Sequence, residues 1–169
     1  MQLRGKHILY VENLDKYFLS HRLLLASAMR SQGCRVTIMA SESAAGTQIR
    51  EKGFEFVPLP ILNKSTNLWR ELRTLIFIGR TYMRLWPDII HQFNAKPVIY
   101  GTLVARLLTR ARWVNTITGL GYVFTDEDRN VLLRHFIKSL YRFTLFGKRG
   151  HTTFQNNDDL RLFCRSAPC

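Results

Sequence analysis

Six short apolar stretches alternate with helix-like stretches along the whole chain, and this alternation restricts the fold more than any other feature. Residues 7–11, 35–40, 54–59, 88–93, 112–117 and 151–155 read as strands. Residues 19–32, 43–52, 67–86, 96–110, 130–147 and 158–164 read as helices. Gly33 and Gly53 stop the first two helices and Pro87 stops the third. Pro97 stands near the first turn of the fourth, where its preset φ is favoured. Ser20 is a possible cap for the first. Strands joined through helices pair in parallel, and right-handed crossovers place the helices on both faces. The expected fold is therefore α/β, a doubly wound parallel sheet of about six strands in one domain over residues 1–169. The loop at residues 60–66 is the best candidate for a mobile segment.

A chain of 169 residues with 46% apolar content can bury a real core. No apolar run reaches the ~20 residues a membrane-spanning helix needs. The N-terminus leads into a strand and not into a signal peptide. Cys34, Cys164 and Cys169 lack metal-ligand spacing, and an odd number without an export signal fits a reducing cytosol. No metal site is expected. The net charge of +13 implies a polyanionic partner, which composition leaves open among nucleic acid, an anionic membrane surface and phosphorylated substrates.

Placement of the charges narrows the choice. On the helix at 67–86, Arg70, Arg73, Arg80 and Arg84 share one stripe, with Trp69 and Phe77 among them. Aromatics interleaved with arginines are typical of helices lying in a membrane interface, so Arg70, Arg73, Phe77, Arg80 and Arg84 form a candidate membrane-facing set. On the helix at 130–147, Leu132, Leu133, Phe136, Ile137, Leu140 and Phe143 make one face. Arg134, Lys138, Arg142 and, just beyond, Arg149 make the other. For this second helix taken alone, an ordinary helix with its apolar face on the sheet and its charged face in water is the favoured reading. No recognised nucleic-acid-binding motif is present, which sets nucleic acid aside.

In an open α/β sheet, ligands sit beyond the carboxyl ends of the strands. After the fifth strand comes Thr116-Ile117-Thr118-Gly119-Leu120-Gly121, whose glycines allow a phosphate or sugar to approach the backbone, or simply make a tight turn. After the first strand, Glu12, Asn13, Asp15 and His21 cluster where the first helix is expected to begin, a position suited to an anion. His21 either bonds a ligand oxygen or is satisfied by its neighbours. Lys96 opens a helix, where the dipole disfavours a cation; a phosphate would resolve that conflict, and a solvated lysine is the alternative. Asn157 or Asp158 caps the last helix. No catalytic set emerges: there is no Ser-His-Asp arrangement, HExxH, CxxC or P-loop, and no complete GxGxxG after the first strand.

Five stretches in order resemble one family. They are Tyr17-Phe-Leu-Ser-His-Arg22, Arg84-Leu-Trp-Pro-Asp88-Ile-Ile-His91, Lys96-Pro-Val-Ile-Tyr-Gly101, Thr116-Ile-Thr-Gly-Leu-Gly-Tyr-Val-Phe124 and Phe154-Gln-Asn156. Together they resemble the N-terminal, acceptor-binding domain of a glycosyltransferase family 4 enzyme. The branch is that of bacterial undecaprenyl-diphosphate-linked sugar transferases. The resemblance implies a Rossmann-like domain forming one half of a GT-B fold, and a retaining, metal-independent transfer. It implies a nucleotide-sugar as co-substrate on the other domain and no further cofactor. The acceptor would be a polyprenyl-diphosphate-linked sugar, met peripherally at the inner face of the cytoplasmic membrane. Asn13, His21, Lys96, Thr118, Gly119 and Gly121 would position that acceptor and its phosphates.

Two departures stand out. Glu12-Asn13-Leu14-Asp15 replaces the glycines that the wider family has after the first strand. Thr118 stands about where many members carry a histidine. The donor-binding domain is expected to be absent from this chain, which then transfers little or no sugar alone. A separate donor-domain polypeptide completing a split enzyme, and a non-catalytic remnant acting as a basic membrane- or polyanion-binding module, remain as alternatives.

Overall fold

A computed structural model describes residues 3–61, 67–118, 139–140, 143–145 and 147–166. The strands are β1 (His7–Leu14), β2 (Arg35–Ser41), β3 (Glu55–Pro58), β4 (Ile89–Phe93), β5 (Arg112–Ile117) and β6 (Gly150–Phe154). The helices are α1 (Asp15–His21), α2 (Leu23–Ser31), α3 (Ala44–Glu51), α4 (Leu68–Leu85), α5 (Ala95–Leu108) and α6 (Asn157–Ser166). All five strand pairings are parallel, in the order β3-β2-β1-β4-β5-β6. The expected doubly wound sheet is thus observed.

The alternation of side chains along β1 builds both cores, because successive residues of a strand point to opposite faces. Leu9 and Val11 pack with Met39, Ile90, Ile78 and Tyr82, on the face covered by α4 and α5. Ile8 and Tyr10 pack with Phe18, Ile38, Ile49 and Phe93, on the face covered by α1, α2 and α3. Each large apolar side chain so buried contributes about 1.5–3 kcal/mol. A third, smaller cluster of Val98, Ile99, Ile117 and Leu145 lies toward β5.

Helix boundaries follow capping chemistry. Asn67 accepts from the backbone N–H groups of Trp69 and Arg70 and starts α4. Trp86, at φ 44° and ψ 57°, ends it in a left-handed turn before Pro87. Ser43 caps α3 by accepting from Ala45 N–H.

The first helix differs from expectation. The stretch at 19–32 is not a single helix beginning near Ser20. β1 runs on through Glu12, Asn13 and Leu14, with a slip of register between Val11 and Leu14, and α1 begins at Asp15. Arg22, at φ −119° and ψ −13°, separates α1 from α2. Asp15 reads as a loop residue but is fully buried, because the Ser43 N–H and Oγ–H donate to its carboxylate at 2.5 and 2.7 Å. Ser20 caps nothing here; its hydroxyl donates back to the Lys16 and Tyr17 carbonyls.

Of the helix at 130–147, residues 139–140 and 143–145 are helical and the rest of its two faces lies outside the described residues. Leu140 packs against the third cluster, whereas Phe143 is half exposed with the Arg106 guanidinium over its ring. Arg149 does not face water freely: it donates to the Thr109 and Arg106 carbonyls and stacks on Trp113. Most of the 60–66 loop also lies outside the described residues. Cys34 is a buried free thiol.

Candidate functional site

Strand order reverses between β1 and β4, since β2 and β3 are added on one side and β5 and β6 on the other. At such a switch point the crossover helices leave toward opposite faces and open a crevice at the strands' carboxyl ends. Glu12 and Asn13 end β1 there, Asn94 follows β4, and Thr118 follows β5. These four are joined. The Asn94 amide donates to Glu12 Oε1 and its Oδ1 accepts from the Thr118 hydroxyl. Glu12 Oε1 also accepts from the Asn13 N–H at 2.9 Å. Arg22 Nε lies 4.0 Å from Glu12 Oε2.

The network is dry. Glu12 is 1% exposed, and burial pushes its carboxyl above the usual range against the pull of the Asn13 N–H and Arg22. Asn13 Oδ1 and Arg22 Nε are buried without a hydrogen-bond partner. The Arg22 guanidinium stacks on Phe93 at 4.2 Å. A polar cluster with unmet hydrogen-bonding capacity at a crevice is the chemistry of a site that grips hydroxyl or anionic oxygens.

A cavity of about 810 Å³ lies where β2 and β3 end. One wall is the chain leaving β2 and β3, with Ser41, Leu59 and Ile61; the other is α4, with Arg70, Arg73, Phe77 and Arg80. Its interior is apolar and its cationic groups come from α4. Glu71 also lines it, and accepts from Lys96 Nζ at 2.9 Å and from the Tyr100 hydroxyl at 2.8 Å.

The structure brings Asn13 and Thr118 into one network. Lys96 stands in the first turn of α5, two residues after Asn94, and the electrostatic conflict expected there is met by the Glu71 carboxylate. His21 is elsewhere in its element than expected: it is the last residue of α1, exposed and stacked on Tyr17, because the helix begins six residues earlier. The argument from a helix N-terminus therefore does not hold for it. Gly119 and Gly121 lie outside the described residues. Arg70, Arg73, Arg80 and Arg84 are exposed as expected, but Phe77 is packed against the core and lines the cavity.

Sequence reasoning passed over Glu12 as a site residue, and missed Asn94 and Glu71. Glu71 carried a signal, being the sole acid of α4 among four arginines. Asn94 carried a weaker one, as the residue at the junction of a strand and a helix. Among the described residues, no group of three or more His, Cys, Asp or Glu could hold a metal ion, and no helix is long and apolar enough to cross a membrane.

The sequence matches the family model described as glycosyl transferase 4-like over residues 7–148. No curated protein matches it significantly by sequence. Solved structures share its fold. A glycosyltransferase from Rickettsia africae is 13% identical, with a TM-score of 0.57, covering 95% of this chain and 49% of the other. The UDP-GlcNAc 2-epimerase of Methanocaldococcus jannaschii is 15% identical, with a TM-score of 0.59, over 96% of this chain and 42% of that one. MurG of Acinetobacter baumannii is 18% identical, with a TM-score of 0.56, over 67% and 35%. The chain thus spans less than half the length of each of these structures. Its parallel sheet with flanking helices is the Rossmann-like α/β architecture that GT-B glycosyltransferases share. By the family match, which covers most of its length, the chain belongs to the glycosyl transferase 4-like family.

Proposed function

We propose that this chain is the acceptor-binding half of a retaining glycosyltransferase of hexosyltransferase type. It would help move a sugar from a nucleotide-sugar to a polyprenyl-diphosphate-linked saccharide in surface polysaccharide or glycan assembly, at the inner face of the cytoplasmic membrane. The observation that carries this reading is the three-faced surface of α4. One face, with Ile78, Tyr82 and Leu75, packs on the sheet. A second exposes Leu68, Trp69, Leu72, Ile76 and Met83, with Trp69 77% exposed. A third exposes Arg70, Arg73, Arg80 and Arg84. A helix with an apolar strip and a parallel basic strip, both open to solvent, suits a membrane interface with anionic headgroups. The cavity under the basic strip opens where β2 and β3 end, at the same end of the sheet as the switch point, which suits an acceptor with its lipid tail at the membrane and its sugar at the crevice.

In this arrangement Asn13 and Thr118 meet the acceptor's sugar, and Lys96 with Gly119 and Gly121 meets its phosphates. The nucleotide-sugar is held by a second domain, on the same or a separate polypeptide. Flotation with vesicles tests the reading. The protein is expected to bind anionic vesicles, more tightly when they carry a polyprenyl-diphosphate-linked saccharide. Replacing all four arginines by glutamine removes roughly 4 kcal/mol of attraction, close to a thousandfold in affinity. Equal binding to any polyanion, without preference for the lipid-linked saccharide, would favour a basic binding module instead, a reading the net charge of +13 also allows.

A further inference from the structure

Glu71 stands apart on its helix. It is the single acid of α4, yet it is turned away from the exposed arginines, toward α5. Each of its carboxylate oxygens has its own donor: Oε1 accepts from Lys96 Nζ at 2.9 Å, and Oε2 from the Tyr100 hydroxyl at 2.8 Å. The pair is sheltered, with 17% of the Glu71 side chain and 21% of the Lys96 side chain exposed, so water screens it less than a surface pair. Glu71 also lines the 810 Å³ cavity, whereas Lys96 and Tyr100 do not. The carboxylate therefore stands between the cavity, with its apolar interior and arginines, and the donors behind it.

Taking the acceptor reading above as its basis, we propose that Glu71 is an internal stand-in for a phosphate group, and that the acceptor's diphosphate binds by exchange with it. Two oxygens on one centre, one facing an ammonium and one a phenol hydroxyl, are what a phosphate presents. When an anion enters from the cavity, Lys96 and Tyr100 change partner, and the released Glu71 carboxylate turns into the open cavity that it lines. The donors are then never left without an acceptor, and the resting protein discriminates against weak anions because each must displace a carboxylate already in place.

Calorimetric titration of the 169-residue chain with inorganic pyrophosphate tests the exchange. Glu71→Gln removes the competing charge and is expected to tighten pyrophosphate binding by about tenfold, with Lys96→Met in the same chain abolishing that gain. Glu71→Ala removes the same charge with a different side chain, keeps both donors for the anion, and is expected to tighten binding by about tenfold as well. It serves as the second measure if Glu71→Gln disturbs folding, which circular dichroism reports. Unchanged or weaker binding in Glu71→Gln and Glu71→Ala would overturn the proposal. So would a gain that survives Lys96→Met, since the anion would then sit on the arginines. A parallel arm compares vesicles of phosphatidylglycerol with vesicles carrying polyprenyl diphosphate. A pyrophosphate gain without preference for the second vesicle upholds the exchange at Glu71 and overturns the polyprenyl acceptor instead.

Discussion

At Asn94 the backbone has φ 67° and ψ 164°, a region that residues other than glycine occupy only where the surroundings hold them there. Its side chain supplies the holding, through Glu12 on one side and Thr118 on the other. Strain and a buried carboxyl thus meet at the switch point, where local stability is exchanged for a fixed arrangement of polar groups. Neighbouring His91 gives this region a measurable pH signature. Its ring lies 5.4 Å from Tyr10 and 4.2 Å from Phe93, and its Nε2 is 2.9 Å from Thr116 Oγ1. Burial, with Arg22 adding to it, lowers its pKa from 6.5 to about 4. The neutral ring is the folded form, so stability is intact above pH 6.5 and falls as pH drops from 6.5 toward 4, where the unfolded chain takes up a proton that the folded chain refuses. The loss reaches about 3 kcal/mol by pH 4. Urea melts across that range should show it, and His91→Phe should flatten the profile. His7, also held low by burial and Arg35, adds a smaller slope that remains in that variant.

Among the elements, the contact of α5 on β4 is the least tolerant. Gln92 of β4 is fully buried, donating to Thr102 Oγ1 at 2.9 Å and Asn115 Oδ1 at 3.0 Å, and accepting from the Tyr82 hydroxyl at 3.3 Å. Gly101 passes over this network so closely that a Cβ would lie 1.6 Å from Gln92 Oε1 and 2.5 Å from the Tyr82 hydroxyl. Gln92 cannot swing aside without breaking its own bonds. Gly101→Ala is therefore expected to destabilise the domain by about 2–3 kcal/mol, measured as a lower denaturation midpoint at unchanged slope. The elements themselves were legible in the sequence, because Gly33, Gly53, Pro87 and Asn67 act on the backbone within a few residues. The start of α1 was not legible. What makes Asp15 a buried first-turn residue is Ser43, and that partner arrives only when α3 packs against α1.

For the molecule as a whole, the order β3-β2-β1-β4-β5-β6 gathers the polar network, Lys96 and the cavity at one end of the sheet. On the function proposed, this half of the cleft binds the acceptor and the donor belongs to a second domain. The 169-residue chain then binds the lipid-linked saccharide yet incorporates no labelled sugar above the rate without protein. Incorporation should appear when a donor-binding domain is joined or mixed in. Turnover by the chain alone would contradict its role as an acceptor half.

The sequence by itself determined the alternation of strands and helices, the parallel sense of the sheet and the basic stripe of α4, since each follows from periodicity and punctuation within a short window. The placement of Asn13, Lys96 and Thr118 at strand ends followed from that alternation and from the rule for open sheets. Tertiary structure alone decided that Glu12 would be buried, that Asn94 would tie β1 to the end of β5, and that Glu71 would reach Lys96 across two helices. Those contacts join residues 82, 24 and 25 positions apart. At such separations no local period or propensity acts, and the partner is chosen only by how the helices pack on the sheet.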